Sequence, residues 1–128
     1  MAGQRGIRMW CVAHRVAALI GIDAIWLAVE PLDMRAGTDS ASARVVRVFG
    51  QITPHHAYLF ANRRADRIKV LVHDGFGVWL AARRLHQGRF AWPRDTAAIA
   101  QLSREQFDAL VVGLPWHRLG DAGVIRTL

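Results

Sequence analysis

Residues 58–93 decide the fold of this chain, and they read YLFANRRADRIKVLVHDGFGVWLAARRLHQGRFAWP. The apolar residues Ile68, Val70 and Val72 alternate with basic neighbours, which is the period of two expected of a half-buried strand. An Asp-Gly pair follows, and such a pair commonly turns a β-hairpin. A second glycine two positions later allows a longer turn. The stretch therefore predicts a strand, a turn and a return strand of residues 78–85.

With a turn of two or four residues, this hairpin has two unlike faces. One face is apolar and carries Ile68, Val70, Val72, Trp79 and Ala81. The other face mixes apolar and basic side chains, namely Arg67, Lys69, Leu71, His73, Val78, Leu80 and Arg84. Cations placed close together on a sheet repel one another unless solvent or an anion relieves the repulsion. Two interpretations stay open: solvated charges that protect a sheet edge, or contacts to phosphate.

The same stretch holds most of the net charge of +7. A concentrated positive field on a sheet favours a polyanion as partner over a small molecule. Sixteen of the 17 basic residues of the chain are arginines, whose planar guanidinium suits forked binding of phosphate. Asp66, between Arg64 and Arg67, is interpreted as a local ion pair. The predicted contacts to a nucleic-acid backbone are Arg63, Arg64, Arg67, Lys69, Arg83, Arg84 and Arg89.

Signals outside this stretch predict two helices and further strands. Residues 24–29 form a short apolar strand that ends before a proline. Residues 38–49 form a helix that Thr38, Asp39 or Ser40 would cap and that Gly50 would end. A second helix, of residues 103–113, begins with a capping box between Ser103 and Gln106. Residues 88–92 are predicted as the last strand of the sheet, and residues 94–101 as a connector or a single helical turn.

Together these elements predict one α+β domain, with an antiparallel sheet of four or five strands and two main helices. Its 128 residues suit a single domain with a modest core. We expect residues 1–20 to be an N-terminal extension, disordered or a short helix, residues 21–119 to be the domain, and residues 120–128 to be a loose tail. The single cysteine excludes a disulfide framework and a thiolate zinc site. The same cysteine usage makes a reducing cytoplasm the expected compartment. With no apolar run of 18 residues, we expect no membrane span.

No pattern of residues predicts an active site, and we expect no catalytic residue, bound metal or cofactor. The acidic residues are scattered, and Asp33 and Asp39 are the nearest pair that shares a motif. Asp39 is expected to cap the helix, and Asp33 to bond turn amides or pair with an arginine. His73 and Asp74 are neighbours on a strand and so point to opposite faces. The other histidines lack zinc-site spacing, and no phosphate loop or dinucleotide fingerprint occurs.

Aromatic side chains offer a second route to nucleic acid, because bases of single strands stack on them. In a domain this small, packing in the core is the expected use of most of them. Trp92, at a strand end before Pro93, is the best candidate for partial exposure. The aromatic residues considered are Trp26, Phe60, Trp79, Phe90, Trp92 and Trp116.

Several motifs in one order resemble a known family. They are Asp33-Met34-Arg35-x-Gly37-x-Asp39, then NRRxDRIKVL at residues 62–71, DGxG at residues 74–77, and RLxxGRFxWP at residues 84–93. This order, over residues 24–118, is similar to the small accessory protein, called TnpB, of the IS-sixty-six class of bacterial insertion sequences. The resemblance implies a helper of transposition, with strand cutting and joining assigned to a separate transposase. The role of the first motif is open.

The function predicted is that of a non-catalytic accessory factor for transposition, which binds DNA, the transposase of the same element, or both through the Arg-rich sheet. One alternative is a pure protein–protein adaptor, in which Arg35 and the basic sheet meet an acidic surface of the transposase. Another is a metal-dependent nuclease with a carboxylate site around Asp33 and Asp39. A homo-oligomer is compatible with the sequence.

Overall fold

The computed structural model describes residues 21–94, 98–119 and 125–126. The fold is one mixed β-sheet with a helix on each face. The two helices are α1 (Thr38–Phe49) and α2 (Arg104–Val111), and a 3-10 helix follows at Trp116–Arg118. The strands are β1 (Ala24–Ala28), β2 (His56–Ala61), β3 (Arg67–His73), β4 (Val78–Arg84), β5 (Ile99–Leu102) and the short β6 (Ile125–Arg126).

The strand order is β4-β3-β2-β1-β5-β6, and one pair in it is parallel. β1 runs parallel to β2, whereas every other neighbouring pair is antiparallel. The α+β class and the two helices are confirmed, but the prediction of a purely antiparallel sheet was wrong. The physical reason is α1, which lies between β1 and β2 in sequence. The helix carries the chain back to the end of the sheet where β1 begins, so β2 runs in the same direction as β1.

β2 lies at the centre of the sheet and is buried on both faces. Tyr58 and Phe60 face α1, where they pack with Val45, and all three are almost inaccessible to solvent. Leu59 faces the other way and belongs to the cluster that includes Leu110 of α2. Burial on both faces explains why β2 reads as a continuous apolar run rather than an alternating one.

The helix boundaries agree with the sequence, but one cap does not. α1 covers the predicted residues and ends at Gly50, whose φ is +92°. Its N-cap is Gly37, with no side-chain hydrogen bond, so the prediction that Thr38, Asp39 or Ser40 caps it was wrong. Thr38 is already the first helical residue, so Asp39 lies in the first turn, where a carboxylate interacts favourably with the helix dipole.

The capping box of α2 is confirmed. Ser103 Oγ accepts a hydrogen bond of 3.1 Å from the Gln106 backbone N–H, and Gln106 Oε1 accepts one of 2.9 Å from the Ser103 N–H. The two bonds satisfy backbone donors that a helix start otherwise leaves free. The helix itself is shorter than predicted and ends at Val111.

The hairpin of β3 and β4 has a turn of four residues, the longer of the two predicted lengths. Val72 pairs with Trp79 and His73 with Val78, so the two predicted faces are confirmed. Asp74 Oδ1 accepts hydrogen bonds of 2.8 Å from the backbone N–H groups of residues 76 and 77, which closes the turn. Trp79 retains 51% exposure although it lies on the apolar face, because β4 is the edge strand of the sheet.

Two predictions about residues 88–101 were wrong. Residues 88–92 form no strand and are held instead by isolated bonds, such as that of 2.6 Å from the Phe90 N–H to the Ala65 carbonyl. Residues 94–101 contain the start of β5, which pairs with β1. β5 has only four residues, which is too short for a clear alternation. The predicted extension of residues 1–20 lies outside the described residues.

The predicted tail of residues 120–128 also lies outside the described residues, apart from β6, which pairs with β5. None of the helices in the described ranges has the length and hydropathy needed to cross a bilayer.

Candidate nucleic-acid interface

Strand direction gathers the basic motifs at one end of the sheet. β1, β2 and β4 run in the same direction, so their carboxyl ends meet there, together with the start of β3. Three connections follow these strand ends: residues 29–37 after β1, residues 62–66 after β2 and residues 85–94 after β4. We call these three connections, together with the adjoining strand residues Arg67 and Arg84, the basic end. The motif around Asp33 and the motif around Arg63 therefore lie side by side, although about thirty residues separate them in sequence.

The turn of residues 62–66 is built by its first residue. Asn62 Oδ1 accepts hydrogen bonds from the backbone N–H groups of Asp66, at 3.1 Å, and Arg67, at 3.2 Å. Asn62 Nδ2 donates one of 2.7 Å to Asp66 Oδ1. Ala65 adopts a left-handed conformation with φ of +59°, which tightens the turn. Asn62 and Asp66 thus have a structural role, which is to present Arg63 and Arg64 at an exposed tip.

Asp66 differs from its predicted role as an ion-pair partner. The hydrogen bond from Asn62 is the main cause that lowers the pKa of Asp66, and the charges of Arg67 and Arg64 contribute less. No salt bridge joins Asp66 to either arginine in the described chain. The two arginines consequently keep their guanidinium groups available.

The loop of residues 29–37 is shaped by Asp33, as predicted. Its Oδ1 accepts a hydrogen bond of 2.9 Å from the Arg35 backbone N–H, and its Oδ2 accepts one of 2.8 Å from Arg35 Nη2. The side-chain hydrogen bond from Arg35 lowers the pKa of Asp33 to about 2. Lys69 Nζ donates a bond of 2.7 Å to the Ala36 carbonyl and so fastens the loop to β3.

The geometry gives no support to a carboxylate site around Asp33 and Asp39. Both oxygens of Asp33 accept hydrogen bonds from Arg35. Over the described ranges, no group of three or more His, Cys, Asp or Glu side chains could hold a metal ion. What the arrangement offers instead is positive charge.

Five of the seven predicted contacts are exposed at the basic end, and two are used internally. Arg67 and Arg84 pair directly across the β3–β4 ladder. Arg83 points to the opposite face, where its Nε donates a bond of 2.6 Å to the Val111 carbonyl at the end of α2. Lys69 holds the loop described above, so both residues have structural roles. The five exposed residues are Arg63, Arg64, Arg67, Arg84 and Arg89.

Three adjoining depressions form a groove along residues 29–37, with volumes of about 580, 540 and 100 Å³. Neighbouring depressions share lining residues, Asp33 and Arg44 in one case and Asn62 and Arg63 in the other. We call these three depressions together the arginine groove. Its arginines are Arg35, Arg44, Arg47, Arg63, Arg64, Arg67 and Arg94.

Four of these arginines were not among the predicted contacts: Arg35, Arg44, Arg47 and Arg94. Glu30 orients two of them, because its Oε1 accepts bonds of 3.1 Å from Arg44 and 2.6 Å from Arg47. The bond from Arg47 is the main cause that lowers the pKa of Glu30. The sequence did carry a signal, since Arg44 and Arg47 stand three residues apart on one helix, but it does not tell what that side of the helix faces.

Most of the aromatic residues considered pack in or against the core, as predicted, but Trp79 is more exposed than Trp92, which was not expected. Trp116, Phe60 and Phe90 are buried in the core, as predicted. Trp92 is half-buried, which confirms its predicted partial exposure, and it lines the smallest depression of the arginine groove. Trp79 is exposed at the opposite end of the sheet, where its Nε1 donates a hydrogen bond of 2.9 Å to Asp74 Oδ2. Trp26 is also half-buried.

Fold and groove together define a small α+β domain with one arginine-rich end. A family model described as "IS66 Orf2 like protein" matches residues 23–121. The chain belongs to this family, the one that its motifs resemble, which consists of accessory proteins of insertion-sequence transposition.

Two relatives come from Sinorhizobium fredii (strain NBRC 101917 / NGR234). "Uncharacterized protein y4hO" is 33% identical over 95 residues, which cover 73% of this chain and 82% of the relative. "Uncharacterized protein y4jC" is 31% identical over 97 residues, which cover 74% and 82%. No solved structure shows significant similarity to the chain.

Proposed function

We propose that this protein is a non-catalytic accessory factor of transposition that binds the sugar-phosphate backbone of DNA through the basic end. The observation that carries the proposal is that residues of both family motifs line adjoining depressions of the arginine groove. Asp33 also lines the groove, but seven arginines outnumber it, and a groove with an excess of positive charge attracts a polyanion and raises its rate of association.

The charge at the basic end is largely uncompensated. In the part of the chain that the structure describes, the salt bridges of this region involve Arg35, Arg44 and Arg47, whereas the exposed residues of the predicted set form none. Arg67 and Arg84 are directly opposed on one face, which is unfavourable for like charges unless solvent or an anion relieves the repulsion. A backbone phosphate would relieve this repulsion.

Binding of this kind positions a protein on DNA without reading its sequence, because phosphates are the same at every base pair. In this proposal, sequence choice belongs to the transposase, and the accessory factor holds the element's ends near it. A pure adaptor would use the same surface to meet acidic side chains of the transposase, and the experiment below separates the two.

The test is a titration of the protein against the terminal DNA of its element and against random-sequence duplex, over a range of salt concentrations. We expect both duplexes to bind with steep salt dependence, because neutralised phosphates release counterions. The double variant Arg67→Ala, Arg84→Ala should bind more weakly and reduce the slope of log K against log salt by about two, roughly one per lost contact.

The matched control is Arg104→Ala, which removes an exposed arginine of the first turn of α2, paired with Asp108. It lies at the other end of the sheet and should leave the binding curve unchanged. An unaltered curve for the double variant would refute the DNA surface. Binding to purified transposase alone, with no binding to DNA, would support the adaptor.

A further inference from the structure

The smallest depression of the arginine groove, of about 100 Å³, differs from the other two in having an aromatic wall. Trp92 and Pro93 line it, and Val29 and Pro31 contribute further apolar surface. Arg63 and Arg94 also line the slot. We call this depression the Trp92 slot.

The wall of the Trp92 slot is held in place. Trp92 Nε1 donates a hydrogen bond of 3.0 Å to the Ala28 carbonyl at the end of β1. The preceding residue is fixed as well, because the Ala91 carbonyl accepts a bond of 2.6 Å from Trp116 Nε1. A ring whose orientation is fixed in advance loses little freedom when a ligand stacks on it.

The size and chemistry of the slot limit what it can accept. Pockets for drug-sized ligands measure roughly 300–1,000 Å³, so this slot has room for a single ring system. Its apolar wall suits the face of a flat ring, and its arginines suit an anion attached to that ring. A nucleotide has both parts, and the slot continues into a basic groove that could carry the neighbouring phosphates.

We infer that the Trp92 slot receives one unpaired base of DNA, while Arg63 and Arg94 contact the phosphates beside it. A base within a duplex is stacked on both sides and cannot enter such a slot unless it leaves the helix. Basic grooves with an aromatic platform are typical of surfaces that bind unpaired strands. This inference rests on the proposed function and adds that the DNA recognised contains an unpaired nucleotide.

The experiment measures Kd by fluorescence anisotropy for three labelled probes at one salt concentration. The probes are a fully paired duplex, the same duplex with one bulged nucleotide, and the corresponding single strand. We expect the unmodified protein to bind the bulged duplex more tightly than the paired one by roughly 5- to 150-fold, which is the range that stacking of one base supplies.

Variants assign the preference to the slot. Trp92→Leu removes the ring and should abolish the preference, whereas Trp92→Phe keeps a ring but loses the bond to Ala28 and should retain part of it. Arg94→Ala, on the surface, should reduce the preference without altering thermal stability. The matched control is Trp79→Leu, since Trp79 is exposed at the opposite end of the sheet and should leave every Kd unchanged.

The outcomes separate this inference from the proposed function. Equal affinity for paired and bulged duplex, with steep salt dependence, overturns the Trp92 slot and leaves the DNA surface standing. No binding to any probe overturns both. If Trp92→Leu unfolds the protein, Arg94→Ala decides, and an unchanged preference in that variant also overturns the slot.

Discussion

Arg83 and Arg84 are neighbours on β4, yet they have different tasks. Arg83 donates a hydrogen bond of 2.6 Å to the Val111 carbonyl and joins the edge strand to the end of α2. Arg84 points to the other face of the sheet, opposite Arg67, and is exposed. Successive residues of a strand face opposite ways, so Arg83 contacts α2 on one face of the sheet while Arg84 belongs to the basic end on the other.

We therefore expect the same substitution to reduce stability at Arg83 and to weaken DNA binding at Arg84. Arg83→Met keeps the apolar stem but removes the donor, so it should lower the free energy of unfolding by about 1–2 kcal/mol. Arg84→Met should leave stability within about 0.5 kcal/mol and weaken DNA binding instead. Urea denaturation and the salt titration measure the two effects. Equal loss of stability in both variants would contradict the assignment.

The hydrogen bonds of Asn62 predict that its substitution lowers the stability of the fold. Asn62→Ala leaves the backbone N–H groups of Asp66 and Arg67 without their acceptor, and it also removes a donor to the Asp66 carboxylate. We expect a loss of about 1–2 kcal/mol in the free energy of unfolding, measured by urea denaturation. The control Gln51→Ala removes an exposed amide with a single long bond of 3.4 Å and should change it by less than about 0.5 kcal/mol.

The ion pairs of Glu30 predict that removing its charge increases the affinity for DNA. Its carboxylate holds Arg44 and Arg47, and so competes with phosphate for both guanidinium groups. Glu30→Gln should tighten binding several-fold and steepen the salt slope by about one to two. Glu105→Gln changes the net charge equally but lies on the first turn of α2, so it separates local from long-range effects. The same gain in both variants would show that only net charge matters.

The lowered pKa of Asp33 predicts that the stability of the fold depends on pH. Its pKa falls from the ordinary 3.8 to about 2 because the Arg35 side chain and backbone N–H hydrogen-bond to the ionised form. A depressed pKa stabilises the folded state above the unfolded value, so this contribution is complete above 3.8 and disappears as the pH falls towards 2.

The measurement is the urea midpoint over a pH series. The unmodified protein should be more stable than Asp33→Asn at neutral pH, and the gap should close at the acid end of that window. Arg35→Met should remove most of the gap, because it removes the main partner. A gap that stays constant down to pH about 2 would show that the pair does not titrate as described.

Local signals in the sequence were sufficient for most individual elements. The alternation of residues 67–73 and the turn after them fixed the β3–β4 hairpin, and Ser103 with Gln106 fixed the start of α2. The apolar side of α1 and its terminal glycine fixed that helix. Such signals act within a few residues, where backbone conformation and hydrogen bonds are decided. The family motifs added the membership that the family model confirms.

The assembly of the site was decided by tertiary structure alone. The parallel pairing of β1 with β2 requires α1 to carry the chain back to the end of the sheet where β1 begins, and no local pattern records which strands then become neighbours. The same pairing brings the loop of Asp33 beside the turn of Arg63 and turns Arg44 towards both. It also takes Lys69 and Arg83 out of the predicted surface, because each meets a backbone carbonyl from a distant part of the chain. Contacts between residues far apart in sequence depend on the packing of whole elements, and for that reason the sequence showed where the charge lies but not which arginines share a groove.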